Sequence, residues 1–197
     1  LAASLARWGV EAIGRTRVPD HGDAFHAAIR DALASGADLI VTTGAVSAGR
    51  FDFVPAALAS LGARELFHKV AIRPGKPLLA ARFENGPLVI ALPGNPIAVA
   101  VGYRFFVAPV LRAMAGLPPE QPLRARLEQP PSVREGMQHF ALGEMRRDET
   151  GLPVARVTPA QAAYRIVPYT RANTWLSAQG AYAAAVDAWP LDPADAP

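Results

Sequence analysis

The chain has 197 residues, 51% of them hydrophobic, which provides for a full core with room for two small domains and excludes general disorder. Twenty Lys and Arg against 17 Asp and Glu leave a net charge of +3, which suits an anionic small molecule; with no Lys/Arg run, the balance is too even for a nucleic-acid interface. There is no cysteine, so disulfides, thiolate zinc sites and thiol nucleophiles are excluded.

The chain opens inside an amphipathic pattern, Leu1-Ala2-Ala3-Ser4-Leu5-Ala6-Arg7-Trp8-Gly9, as a piece of a longer polypeptide would. Residues 1–8 predict a helix ended by Gly9, and residues 10–18 a strand. Asp23 is placed to cap a helix running to Ala34, with Phe25, Ala28, Ile29, Ala32 and Leu33 on one face and Gly36 as its stop. Residues 38–43, Asp-Leu-Ile-Val-Thr-Thr, form a nearly continuous apolar strand, the pattern of a sheet covered on both faces. A helix over 53–61 ends at Gly62. Two strands, 77–83 and 87–92, flank the turn Glu84-Asn85-Gly86 and predict a hairpin. From Pro96 a helix runs to about Ala115, with Asn95 as its cap, a kink expected at Pro109 and Gly116 as its end. Its apolar stretch is interrupted by Gly102, Arg104, Pro109 and Arg112, so no membrane span is expected and the location is read as cytoplasmic.

After Leu117-Pro118-Pro119-Glu120-Gln121-Pro122, read as a linker, short alternating strands follow at 123–128, 139–146, 154–158, 174–177 and 182–186. Strands at this spacing predict a small barrel or sandwich. The predicted architecture is a three-layer α/β domain over 1–117 followed by an all-β barrel domain over 118–197.

Three glycine-bearing loops lie beside predicted strand ends, the first and third leaving strands 38–43 and 87–92 and the second leading into strand 77–83. They are Thr43-Gly44-Ala45-Val46-Ser47-Ala48-Gly49-Arg50-Phe51-Asp52-Phe53, then Lys69-Val70-Ala71-Ile72-Arg73-Pro74-Gly75-Lys76-Pro77, then Leu92-Pro93-Gly94-Asn95-Pro96. In an open α/β sheet, ligands gather outside the carboxyl ends of the strands, so these loops are expected on one edge. Lys69 and Arg73 share a face under helical or extended spacing, and Lys76 is held between prolines; a solvated positive edge is the plain alternative to an anion seat. Asp20 and Asp52 could serve a hard cation, or simply a turn and a helix cap. The approximate G-x-S-x-G at 45–49 lacks a base, and Gly75-Lys76-Pro77 is no Walker loop. The histidines at 21, 26, 68 and 139 form no metal-binding pair, so surface or capping roles are expected.

Taken together, these strings resemble the MoeA family of molybdopterin molybdenumtransferases, which includes the gephyrin E domain. The resemblance covers roughly residues 1–117 closely and the β region more loosely. It implies a molybdopterin-binding α/β domain of MogA-like fold and an enzyme that uses Mg²⁺ to insert molybdate into adenylylated molybdopterin, releasing AMP. It implies a homodimer with a shared cleft; the charge balance and the interrupted apolar run separately lead to no nucleic-acid or membrane partner being expected. By position, Asp52 would bind Mg²⁺ and Asp20 line the cleft, with Asp20, Asp52, Lys69 and Arg73 as catalytic residues. Lys69, Arg73 and Lys76 would hold molybdate or phosphate, while Gly44, Ser47, Gly49 and Pro93, Gly94, Asn95, Pro96 would cradle the pterin phosphate. The sequence departs from the pattern at Ala45 (for glycine), Arg50 (for an acid), Arg73 (for lysine) and Ala162 to Pro168 (for a serine-bearing stretch). A catalytically lapsed scaffold module of this fold and a MogA-like molybdopterin adenylyltransferase are the alternatives.

Overall fold

The computed structural model describes residues 1–11, 14–46, 53–129, 136–179 and 185–193. Contacts divide the chain into two units: 1–70 with 75–95, and 71–74 with 96–197. This partition by contact differs from the compositional division at 117/118, because the helix starting at Pro96 packs with the β region, as shown below.

The first unit holds α1 (Ala2–Ala6), α2 (Gly22–Ala34), β1 (Leu39–Thr43), α3 (Val54–Ser60) and β2 (Arg64–His68); the second takes β3 (Ile72–Arg73), and the first resumes with β4 (Leu79–Arg82) and β5 (Leu88–Leu92). The four-stranded sheet has the order β1-β5-β4-β2, with β1 parallel to β5 and the other pairs antiparallel. Phe25 and Ile29 of α2 and Val54, Ala57 and Leu58 of α3 form one core with Leu79, Ala81, Val89 and Ala91 of the central strands. The alternate residues Ala80, Ile90 and Leu92 are buried too, so both faces of β4 and β5 are covered.

Several expectations need correction. Among the described residues of 10–18 there is no strand: Glu11, Gly14, Arg15, Thr16 and Arg17 are exposed and leave no apolar face to bury. His21 rather than Asp23 occupies the N-cap of α2, without a side-chain bond, and Asp23 sits in the first turn. The strand β2, not anticipated, is an edge strand whose first four residues are exposed.

The second unit contains β3, then one continuous helix made of α4 (Pro96–Gly102), a π-helical turn (Tyr103–Val107) and α5 (Ala108–Met114). The irregularity lies in this turn rather than at Pro109 itself. A proline ring excludes the carbonyl four residues back, and widening the preceding turn accommodates it. By length and composition this helix could cross a membrane, yet 56% of that window is buried here. Beyond it lie β6 (Leu123–Leu127), β7 (Gln138–Arg147), β8 (Pro153–Val157), an unanticipated short helix α6 (Val167–Arg171), β9 (Thr174–Gln179) and β10 (Ala185–Pro190).

The ladder runs β3-β7-β8-β6-β10-β9, and β9 pairs again with β7, closing a five-stranded barrel with β3 as an appendage on β7. Gly143 is the joint: it pairs with Val157 of β8 and with Thr174 of β9. A Cβ there would lie 2.6 Å from Leu176 Cδ1 and 3.0 Å from the Arg156 carbonyl, so only glycine fits where the two ladders diverge. Small residues fill the interior, with Ala125, Ala155 and Ala188 beside Leu127, Leu176 and Val186. Phe105 of the π turn stacks on Phe140 at 4.0 Å and meets Trp175 edge-on, which docks the helix on the barrel. Arg104, 2% exposed, donates to the Pro190 carbonyl at 2.9 Å and to Glu120 at 2.5 Å, tying helix, linker and last strand together.

Candidate functional site

Strand direction in the first unit decides where the loops go. β1, β5 and β2 point one way and β4 the other, so Gly44, Pro93 and Lys69 leave the same sheet edge at which β4 is entered from Gly75-Lys76-Pro77-Leu78. The register is direct. Thr42 pairs with Ala91, Ala91 with Leu79, and Leu79 with His68, so these four form the last full row below the rim. Three strand spacings make that row about 14 Å wide, enough for a ligand of several rings or phosphates.

Two of the loops touch. The Gly44 N–H donates to the Leu92 carbonyl at 3.0 Å, and a Cβ on Gly94 would sit 3.6 Å from the Gly44 Cα. Gly44 needs to be glycine for its torsion (φ +88) rather than for space, because no atom crowds its Cβ direction. Ala45 follows with φ +52, a left-handed conformation that costs a residue with a Cβ about 1 kcal/mol or more. Pro93 is buried, whereas Gly94, Asn95 and Pro96 are exposed.

At the other end of the row, the Lys69 N–H donates to the Leu78 carbonyl at 3.1 Å, and Leu78 N–H to the Gly75 carbonyl at 3.0 Å. This closes a compact loop that presents Lys69 and Lys76, both exposed and both without a side-chain hydrogen-bond or ion-pair partner among the described residues. Lys69 has φ +63, so the chain is neither helical nor extended there, and the shared-face argument linking it to Arg73 fails. Arg73 belongs to the second unit, as an exposed residue of β3 opposite His139. Asp20 is exposed, two residues before α2; the short 35–38 link sets α2 antiparallel to β1 and so puts its start at the rim end. Asp52, Ser47 and Gly49 lie outside the described residues, and so does the metal role assigned to Asp52.

Sequence reasoning missed two groups in the last row. His68 Nε2 and Thr42 Oγ1 are buried with no hydrogen-bond partner among the described residues, at the two ends of the row that faces α2 and α3. No spacing signal marks them, because their placement depends on pairing between strands distant in sequence.

Residues 1–113 match the family described as "Probable molybdopterin binding domain". The molybdopterin molybdenumtransferase of Synechococcus elongatus is 45% identical over 141 residues, which is 71% of this chain and 35% of that protein. The enzyme of the same name from Bacillus subtilis is 43% identical over 96 residues, 49% of this chain and 22% of that protein. The chain thus spans about a third or less of the curated relatives it matches. A molybdenum cofactor biosynthesis protein from Pyrococcus furiosus superposes with a TM-score of 0.71 at 26% identity, covering 95% of this chain and 62% of that one. A molybdopterin biosynthesis MoeA protein from Pyrococcus horikoshii superposes with a TM-score of 0.62 over 87% of this chain and 40% of its own; at 20% identity it speaks for the fold alone.

Proposed function

The chain belongs to the family of probable molybdopterin-binding domains, and on that premise we propose that its first unit is the pterin- and anion-binding part of a molybdenum-inserting transferase. The substrates are molybdate and adenylylated molybdopterin, and AMP is the leaving group. The observation that carries this reading is the common rim, with Gly94 against Gly44 at one end and, at the other, two lysines whose side chains are unpaired among the described residues.

The chemistry needs such a rim. Molybdate is a dianion and the phosphoanhydride it approaches is also anionic; two unit charges about 4 Å apart at a protein surface interact by about 4 kcal/mol. Lys69 and Lys76 offset that repulsion and stabilise the charge developing on the departing AMP. The Gly44 and Gly94 backbones, free of side chains, let the ligand's phosphate approach closely. Asp20 lines the rim beside α2. The sequence resemblance alone assigns Arg73, a residue of the second unit, an anion-binding role.

The reading includes a Mg²⁺ requirement, with Asp52 as its carboxylate ligand. Among the described residues no three His, Cys, Asp or Glu side chains cluster, so the described rim is no metal cage by itself. A cytoplasmic homodimer completes the proposal.

The test uses a polypeptide that supplies the remaining length of the relatives. Molybdate-dependent AMP release is measured for the parent, Asp52→Ala, Lys69→Ala and Lys76→Ala. The reading expects loss of turnover for the first and a raised molybdate requirement for the other two. Normal turnover by Asp52→Ala, or an unchanged molybdate dependence in both lysine variants, sinks it. Tight pterin binding without any AMP release would instead favour a lapsed scaffold, the alternative motivated by alanine at position 45 where the family pattern has glycine.

A further inference from the structure

We propose that the outer face of the barrel carries a second, independent seat for a tetrahedral oxyanion, built on Arg171 with Arg146 and Arg156 beside it. A groove of about 430 Å³ runs there between β6, β7, β8 and the end of α6, and its charged lining is Glu128, Glu144, Arg146, Arg156 and Arg171. Three guanidinium groups therefore face two carboxylates.

The pairing leaves a definite remainder. Arg146 donates to Glu128 at 2.8 Å, and Arg156 donates twice to Glu144, at 3.2 and 2.6 Å. Both carboxylates are thus engaged. The hydrogen bond from Arg156 to Glu144, with the charge of Glu144 and Glu128 added, raises the arginine's pKa. Arg171 is exposed and has no side-chain hydrogen-bond or ion-pair partner among the described residues. It is the uncompensated charge of the groove.

The backbone that carries Arg171 is also held in place. Two residues on, Asn173 accepts from the Met145 N–H at 2.7 Å and donates to the Met145 carbonyl at 3.0 Å, while its own N–H bonds the Gly143 carbonyl. The end of α6 is thereby fastened to β7, the strand that bears Glu144 and Arg146. The side chains of Arg146 and Arg156 keep 66% and 61% of their surface in solvent, so each presents unused N–H groups. Guanidinium groups presented from two strands and a helix end match oxygens that diverge from a tetrahedral centre, and a dianion draws on all three. Phosphate and molybdate share that chemistry.

The experiment is an amide NMR titration of the full chain with inorganic phosphate, with molybdate, and with sodium chloride at matched ionic strength. Met145, Ala155 and Asn173 report the groove, and Gly44 and Gly94 report the rim separately. Saturable movement of the groove amides with phosphate or molybdate, weakened about tenfold in Arg171→Ala and less in Arg171→Lys, supports the seat; the oxyanion that saturates first identifies its source. Groove amides that stay still at millimolar oxyanion overturn it. So does movement that chloride reproduces, that Arg171→Ala leaves unchanged, or that is confined to the rim. Arg171→Gln serves if the alanine variant loses spectral dispersion. Because rim and groove are read by different amides, either site can fail without the other.

Discussion

Replacing Gly143 by alanine tests the account of barrel closure. The added methyl would meet Leu176 Cδ1 at 2.6 Å and Cγ at 2.8 Å, where carbon atoms in ordinary contact stand about 3.5–4.0 Å apart. A displacement of about 1 Å is therefore required. Leu176 is fully buried, and the Arg156 carbonyl at 3.0 Å blocks the other direction, so the strain cannot be relieved by rotating a free side chain. Overpacking of this kind costs about 1–3 kcal/mol. Against it, alanine restricts the unfolded chain by about 0.4–1 kcal/mol relative to glycine. The expected net loss is about 1–2 kcal/mol, or a fall in melting temperature on the order of 5–10 °C for a unit of about a hundred residues. Urea denaturation followed by tryptophan fluorescence reads it, since Trp175 and Trp189 lie in β9 and β10. Leu176→Ala alone is expected to cost about 2–5 kcal/mol through its cavity. In the double variant the methyl introduced by Gly143→Ala enters that cavity, so the two costs fall short of adding by about 1 kcal/mol or more. A Gly143→Ala chain as stable as the parent, or a cycle that is additive, would refute the reasoning.

Three further outcomes are expected. Glu120→Gln leaves the Arg104 charge almost fully enclosed and destabilises the chain by about 3–5 kcal/mol, with Arg104→Met/Glu120→Leu recovering most of it; a cost below about 1 kcal/mol in urea titration counts against the buried pair. Gly44→Ala costs about 1–2 kcal/mol because its φ of +88 is unfavourable for alanine, while Gly94→Ala stays within about 0.5 kcal/mol; equal losses would show that torsion is not what selects Gly44. Asp148 has a lowered pKa, chiefly through the Thr150 hydroxyl and then the Leu152 and Thr150 N–H groups. Its folded value lies below its unfolded one, so its contribution is present above about pH 4 and is lost as the pH falls through the folded value. Thr150→Val flattens this acid limb of stability, and an unchanged limb removes the assignment.

What the sequence made legible follows from how local each signal is. The hairpin around Glu84-Asn85-Gly86 and the apolar β1 are written in consecutive residues, and both stand as expected. The Gly44 and Gly94 end of the rim was legible because turn residues mark strand ends wherever the strands finally sit. β2 was not, because an exposed Arg-Glu-Leu-Phe stretch becomes a strand only through its pairing with β4. The left-handed Lys69 escaped notice for a related reason. Lysine carries no torsional signature, and its φ answers to the Leu78 carbonyl that its N–H must reach. Arg73 was grouped with Lys69 by spacing, whereas its contacts are set by a strand more than sixty residues later.

The excursion of Ala71–Pro74 out of the first unit makes each unit discontinuous in sequence. A protease or gene fusion that severs the chain after Asn95 would strand Ile72 and Arg73 on the wrong piece and strip the flank of β7 at Gln138, whose N–H now reaches the Ala71 carbonyl at 2.8 Å. Recombination between relatives at a single crossover therefore cannot exchange one unit cleanly for another. The four-residue detour binds the two halves to a shared evolutionary history.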